Sequence, residues 1–228
     1  MSAANDRKPV MGFYWLTWIV LFIAYKLFFR FKAFGSEKVP KDSRGIIFAP
    51  NHASFLDPPL LGISTRRHIT FLAKEYLFRV FILGSALRWL GVLPIKSESQ
   101  DFKSMRQLLR ALKDGKRIVV FPEGTRSTDG FLKEAESGVG FLAVKSESWV
   151  LPVYIQGTFK AFPKGAKWFK CSPVRVYFGG AFIPAFEKDL MVKQDPYLAV
   201  SQKIMAEIKE MKKAVEVKPG TNQQSLFV

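Results

Sequence analysis

Hydrophobic positions along this chain fall into one long run and many short ones. The long run spans residues 10–25, apolar apart from Thr17, and resumes after Lys26 with Leu27-Phe28-Phe29. That is close to the roughly 20 apolar residues that cross a bilayer, and it predicts a helix that either spans or lies in one leaflet. No small-residue cleavage pattern of a signal peptide follows it. A helix of a soluble core would show the same run, but the Trp and Tyr within it and the cations beside it suit a lipid interface better. The short runs alternate between two periods. Residues 45–49, 69–73, 92–95, 117–121, 150–155 and 174–178 are β-branched or aromatic stretches bounded by Gly, Pro or charge, and read as strands. Residues 74–90, 101–114, 137–146 and 195–217 read as helices, with Gly115 stopping the second and Pro196 in the first turn of the last.

Strands alternating with helices predict an α/β fold: a largely parallel central sheet flanked by helices, with an N-terminal membrane-associated helical segment. The expected organisation is an anchor over residues 1–35, one catalytic-size domain over 36–217 and a polar tail over 218–228.

Charge narrows the partners. The formal net charge is +16, which favours anionic headgroups, phosphorylated substrates or nucleic acid. The 22 phenylalanines and the apolar run favour lipid over nucleic acid. Lys26, Arg30, Lys32, Lys38, Lys41 and Arg44 follow the run, whereas Arg7 and Lys8 precede it. If the helix spans, this puts the domain on the cytoplasmic face; if it lies in one leaflet, the cations still meet anionic headgroups. Cys171 is the single cysteine and the histidines are His52 and His68, so neither an intrachain disulfide nor a Cys/His zinc site is expected. His68, after Arg66-Arg67, reads as a surface residue.

The candidate chemistry sits in two blocks. Residue 50 is a proline that ends a buried-type strand, so Asn51 and His52 open the loop beyond its C-terminal end, where open α/β sheets hold ligands. Asp57 precedes Pro58-Pro59 and reads as a helix N-cap. A helix through residues 52–57 would turn the two side chains about 140° apart, so contact requires a turn between them. With that turn, the carboxylate orients the imidazole and leaves its other nitrogen as a base. A capping aspartate beside an unrelated surface histidine fits the same residues. The second block, Phe121-Pro122-Glu123-Gly124-Thr125-Arg126-Ser127, follows another strand and should emerge at the same edge. Arg126 offers a planar fork for phosphate, Gly124 allows close backbone approach, Thr125 or Ser127 can donate hydroxyls, and Glu123 can hold Arg126 or the substrate. A structural Glu–Arg pair in a turn is the plainer alternative. Together the blocks suit activation of a hydroxyl on a molecule that carries a phosphate.

These residues resemble the lysophosphatidic acid acyltransferase family, the glycerolipid acyltransferases with a His-x4-Asp motif. Asn51, His52 and Asp57 match its first motif, and Phe121 through Ser127 match its third at every position. Val150-Leu151-Pro152-Val153 is similar to its fourth, a strand with a central proline at Pro152. The second motif departs: Gly91-Val92-Leu93-Pro94-Ile95-Lys96-Ser97 puts Ser97 where the family has arginine, with Lys96 just before it as a possible point-charge substitute. A basic residue common before the glycine after the third motif is also absent, Ser137-Gly138 standing there.

The resemblance implies transfer of an acyl group from acyl-CoA or acyl-ACP to the sn-2 hydroxyl of lysophosphatidic acid, giving phosphatidic acid. His52 is then the base and Asp57 its orienter. Arg126, Glu123, Gly124, Thr125 and Lys96 are expected around the phosphate, with Asn51, Ser127 and Pro152 in support. Backbone N–H groups near Gly124 are candidate oxyanion donors. No metal or cofactor is required, and the expected partners are membrane lipids, the lysolipid and the thioester, not nucleic acid. Ser97 keeps other acceptors open: glycerol-3-phosphate, another lysophospholipid or an acylated amino acid. A lipid-binding protein without turnover, and a hydrolase using the same base on water, are rivals of other kinds. The basic-aromatic stretch 159–170 reads equally as a membrane-dipping loop that guides the acyl chain and as a solvated loop with core anchors.

Overall fold

The computed structural model describes residues 9–95 and 102–217. In chain order the elements are α1 (Met11–Phe29), β1 (Lys32–Phe34), β2 (Ile46–Pro50), α2 (Asp57–Ser64), β3 (Leu72–Lys74), α3 (Phe81–Trp89) and β4 (Leu93–Ile95). They continue with α4 (Phe102–Lys113), β5 (Arg117–Val119), α5 (Ser137–Ser146), β6 (Trp149–Gln156), α6 (Thr158–Ala161), β7 (Arg175–Phe178), α7 (Lys188–Met191) and α8 (Pro196–Val217).

Among the described residues, the central sheet runs β1-β7-β6-β2-β5, and β3 pairs with β4 in a short second sheet. β2 is parallel to both β5 and β6, and β1 to β7; the antiparallel pair is β6 with β7. A parallel bridge between Thr70 and Ile118 ties the lead-in to β3 onto β5. The fold is therefore the expected α/β arrangement with a mostly parallel sheet. β2 is buried along its whole length because helices cover both faces, which is why it reads as an unbroken apolar run.

Alternation along the strands divides the core. Ile47, Ala49, Val150, Tyr154 and Tyr177 face Leu108 and Leu112 of α4, Leu142 of α5 and Ile204 and Ile208 of α8. Ile46, Phe48, Leu151, Val153 and Phe178 face Tyr25 and Phe29 of α1 and Leu60 and Leu61 of α2. Proline is unusual in a central strand because it lacks a donor. Pro152 is accommodated because its carbonyl accepts from Gly179, just past the end of β7, so its nitrogen also faces that side and no bond to β2 is lost.

Several expected boundaries move. Residues 32–34 form an edge strand of the sheet, so the domain begins inside the segment expected to be only an anchor. Strand 69–73 shifts to Leu72–Lys74. Helix 74–90 splits into a 3-10 turn, Glu75–Arg79, and α3, with Val80 extended between them. The two pieces pack closely across the split: a Cβ on Gly84 would lie 2.2 Å from the Phe78 carbonyl oxygen. His68 is half-buried against the ring of Tyr14 rather than at the surface, and burial lowers its pKa.

Candidate active site

Asn51 carries the β2–β6 pairing past the end of β2. Its side-chain amide donates to the Ile155 carbonyl at 3.1 Å and its amide oxygen accepts from Ile155 N–H at 2.7 Å. His52 therefore leaves the sheet from a fixed point. Its own backbone is held on both sides: the N–H donates to Glu123 Oε1 at 2.9 Å, and the carbonyl accepts from Ser127 N–H at 2.8 Å. The imidazole lies flat on the Phe121 ring, centroids 3.7 Å apart.

Asp57 Oδ2 stands 2.9 Å from His52 Nδ1 and also accepts from the N–H groups of Ala53 and Ser54, each at 2.8 Å. The expected turn between the two residues is real, and the carboxylate builds it by gathering three donors onto one oxygen. Asp57 is not the N-cap, however: Leu56 holds that position and Asp57 is the first helical residue of α2. Its charge points back into the loop while sitting at the favourable end of the helix dipole. Asp57 is fully buried, while the histidine side chain keeps 15% of its surface open. An anionic Asp57 accepting at Nδ1 places the proton there and leaves Nε2 with its lone pair. Ser54 braces the turn, donating to the Phe162 carbonyl at 2.6 Å and accepting from Leu56 N–H at 3.1 Å. Tyr25 of α1 adds a bond to the Leu56 carbonyl at 3.0 Å.

The second block lies alongside because β5 is parallel to β2, and Val120 N–H extends that pairing to the Phe48 carbonyl. Glu123 is buried, and its two oxygens accept from His52 N–H and Lys133 N–H. Its expected role at Arg126 or at the phosphate is corrected: it positions the histidine. Ser127, expected in support, uses its hydroxyl within the loop, donating to Asp129 and accepting from Gly130 N–H. The expected oxyanion donors are also committed, Gly124 N–H to the Phe121 carbonyl and Thr125 N–H to that of Glu123. Gly124 has φ +66, the left-handed region that favours glycine.

Arg126 lies over the ring of Phe55, its guanidinium carbon 3.5 Å from the centroid, and its Nη1 is buried with no hydrogen-bond partner. A buried charged donor without an acceptor is costly, and the fork is available for an anion. Lys133 brings a second cation, donating to Thr125 Oγ1 at 2.6 Å. Sequence reading passed over both Phe55 and Lys133; the signal for Lys133 was a cation in the loop that follows the glycine turn. Lys96 and Ser97 lie outside the described residues, just beyond the end of β4. Stretch 159–170 divides: Ala161 is buried, whereas Trp168 is exposed and Phe169 packs against Phe28 and Phe29 of α1. Among the described residues no group of three or more His, Cys, Asp or Glu side chains is placed to hold a metal. A cleft of about 360 Å³ lined by Arg44, Lys113 and Lys145 lies at the opposite edge of the sheet, near the start of β2.

Burial pushes Glu123 above its ordinary value of 4.5, outweighing the lowering by the N–H groups of His52 and Lys133. A raised carboxylate favours the fold while protonated, below its ordinary pKa, and that contribution is lost as pH rises through the raised folded value. Glu123→Gln removes the dependence. Wild-type stability relative to the variant is expected to fall between pH below 4.5 and neutrality, as urea unfolding at both ends would show. A difference independent of pH would contradict the assignment.

The Acyltransferase family model matches residues 30–156. A chloroplastic 1-acyl-sn-glycerol-3-phosphate acyltransferase of Arabidopsis thaliana is 32% identical over 142 residues, 61% of this chain, and the chain spans 40% of that relative's length. A 1-acyl-sn-glycerol-3-phosphate acyltransferase of Bacillus subtilis is 24% identical over 188 residues, covering 81% of this chain and 89% of the relative. The crystal structure of the 1-acyl-sn-glycerophosphate acyltransferase of Thermotoga maritima superposes with a TM-score of 0.74 at 26% identity, covering 90% of this chain and 81% of that one.

Proposed function

The chain belongs to the acyltransferase family, and from that premise we propose that it moves an acyl group from an acyl thioester to the sn-2 hydroxyl of lysophosphatidic acid, forming phosphatidic acid. The observation that carries this reading is the buried carboxylate 2.9 Å from His52 Nδ1, at a sheet edge shared with Arg126, whose buried Nη1 has no hydrogen-bond partner. His52 Nε2 takes the hydroxyl proton as the oxygen attacks the thioester carbonyl. The tetrahedral oxyanion collapses, the C–S bond breaks and the thiol leaves with the proton from His52. Asp57 stabilises the imidazolium formed in between, Phe121 and Glu123 hold the ring in place, and Arg126 fixes the acceptor through its phosphate. The thiol carrier is coenzyme A or acyl carrier protein.

The same reading places the protein on a membrane. α1 is long and apolar enough to cross one by length and composition. It nevertheless lies along the domain: Trp18 Nε1 donates to the Thr65 carbonyl and Tyr25 to that of Leu56, while Leu16, Ile19, Val20 and Ile23 face outward. A helix bonded along its length to the domain suits immersion in one leaflet better than a full crossing. Its flanking cations favour the anionic cytoplasmic face.

An assay offering lysophosphatidic acid, glycerol-3-phosphate and a monoacylglycerol with a panel of thioesters tests the reaction. Wild type is expected to prefer lysophosphatidic acid. Arg126→Ala should lower kcat/KM for it about 10- to 100-fold, the worth of a charge-assisted hydrogen bond, while leaving the phosphate-free monoacylglycerol unaffected. Arg126→Lys should fall between, because a point charge keeps attraction and loses the fork. Equal losses on both acceptors would contradict the phosphate role.

A further inference from the structure

The lead-in to β3 bridges parallel to β5 at Thr70, so β3 runs in the direction of β5 and ends, at Lys74, on the same edge as His52. The 3-10 turn and α3 continue from that edge as a tight hairpin. Its inner side is clamped by Gly84 against Phe78 and by Arg88, whose Nη1 donates to the Phe78 carbonyl at 3.1 Å. The clamp leaves residues 80–83, all apolar, outside: Phe81 is 88% exposed and Ile82 80%. Four consecutive exposed apolar residues on a helix tip are unfavourable in water.

The patch is continuous with the outward face of α1. Ile82 and Trp89 are seven residues apart and share a helix face. Trp89 meets Phe13 edge-on at 5.1 Å, and Val10 N–H donates to the Trp89 carbonyl at 2.9 Å. From there α1 rises to the edge of His52, where the exposed Phe28 meets Phe169 beside Trp168. β1, into which α1 leads, and β3, which leads into the hairpin, lie on opposite sides of β2. Exposed apolar tips therefore flank the histidine on both sides. Both carry exposed cations: Lys74 and Arg79 at the hairpin, Lys164 and Lys167 beside Trp168.

We propose that the tip at residues 80–83 is a second membrane-inserting element, which dips into the acyl layer of an anionic bilayer while α1 holds the other side of the catalytic edge. This rests on the membrane association proposed above and adds to it a grip on both sides of His52, so that a lysolipid reaches the base without leaving the lipid.

The single exposed cysteine allows a direct test. In a Cys171→Ser background, Phe81→Cys is labelled with an environment-sensitive nitrobenzoxadiazole probe and mixed with vesicles of phosphatidylcholine and phosphatidylglycerol. The expected result is a blue shift with a several-fold rise in intensity, quenched by spin-labelled lipid chains, while a probe at Lys113, at the opposite edge, does not respond. A Phe81 probe that keeps its aqueous spectrum while one at Ile19 shifts would overturn the proposal, as would a shift without vesicles, which signals self-association. The Phe81→Ser/Ile82→Ser variant should melt like wild type and partition into the same vesicles about tenfold less or weaker; unchanged partitioning would also overturn it. Because these readouts need no turnover, a failure of the proposed acyl transfer shows separately, as absence of product in an enzyme whose tip still enters lipid.

Discussion

His52→Ala is expected to lower acyl transfer by about 10²- to 10⁴-fold, the usual contribution of a positioned general base, while fold and vesicle binding persist. Folding should survive because the ring's removal leaves Asp57 Oδ2 with the N–H groups of Ala53 and Ser54, and Glu123 still accepts from the backbone of residue 52. The main structural loss is the stack on Phe121. Initial rates with lysophosphatidic acid and an acyl thioester, beside a thermal melt and vesicle flotation, separate these effects. Turnover within tenfold of wild type in a folded variant would remove His52 from the mechanism.

Substitution of Asp57 should damage both activity and stability, in proportions that depend on the replacement. Asp57→Ala strips the acceptor from His52 Nδ1 and from two buried N–H groups, those of Ala53 and Ser54. At about 1–3 kcal/mol for each buried donor left unmade, the fold should lose about 3 kcal/mol or more, lowering Tm by roughly 6–12 °C for a chain of this size. Asp57→Asn keeps one acceptor oxygen at that point and loses the charge that stabilises the imidazolium. It should therefore retain most of the stability and still lose activity by about 10²-fold or more. Calorimetry and rate measurements on the two variants check the split. Equal stability for Asp57→Ala and wild type would mean that the carboxylate does not build the turn.

The motifs were legible because each stands directly after a strand whose apolar run is unmistakable. With β2 and β5 parallel, both loops had to emerge at one edge. The directions of individual side chains were not legible. Glu123 and Arg126 share one loop and carry opposite charges, and sequence alone made them partners or joint ligands. In the fold Glu123 turns inward to two backbone N–H groups and Arg126 turns onto Phe55. Ser127 and Gly124 also read as donors to substrate, and their polar groups serve the loop instead. Loop backbone that has no ladder must satisfy its own hydrogen bonds, and short motifs do not show which side chains it will use.

Periodicity and motif chemistry, with no coordinates, determined the α/β class, the largely parallel sheet and the apolar N-terminal helix, and named the turn that contact between His52 and Asp57 requires. These follow from local spacing and from the chemistry of a few residue types. Tertiary structure decided what depends on neighbours remote in sequence: β1 as part of the domain, the split of helix 74–90 at Val80, α1 lying along the domain, and the two apolar tips at the catalytic edge. Gly84 against Phe78 and Trp89 against Phe13 are contacts of packing and shape. No residue type announces them, because an apolar side chain reads the same in sequence whether it meets the core, another helix or lipid.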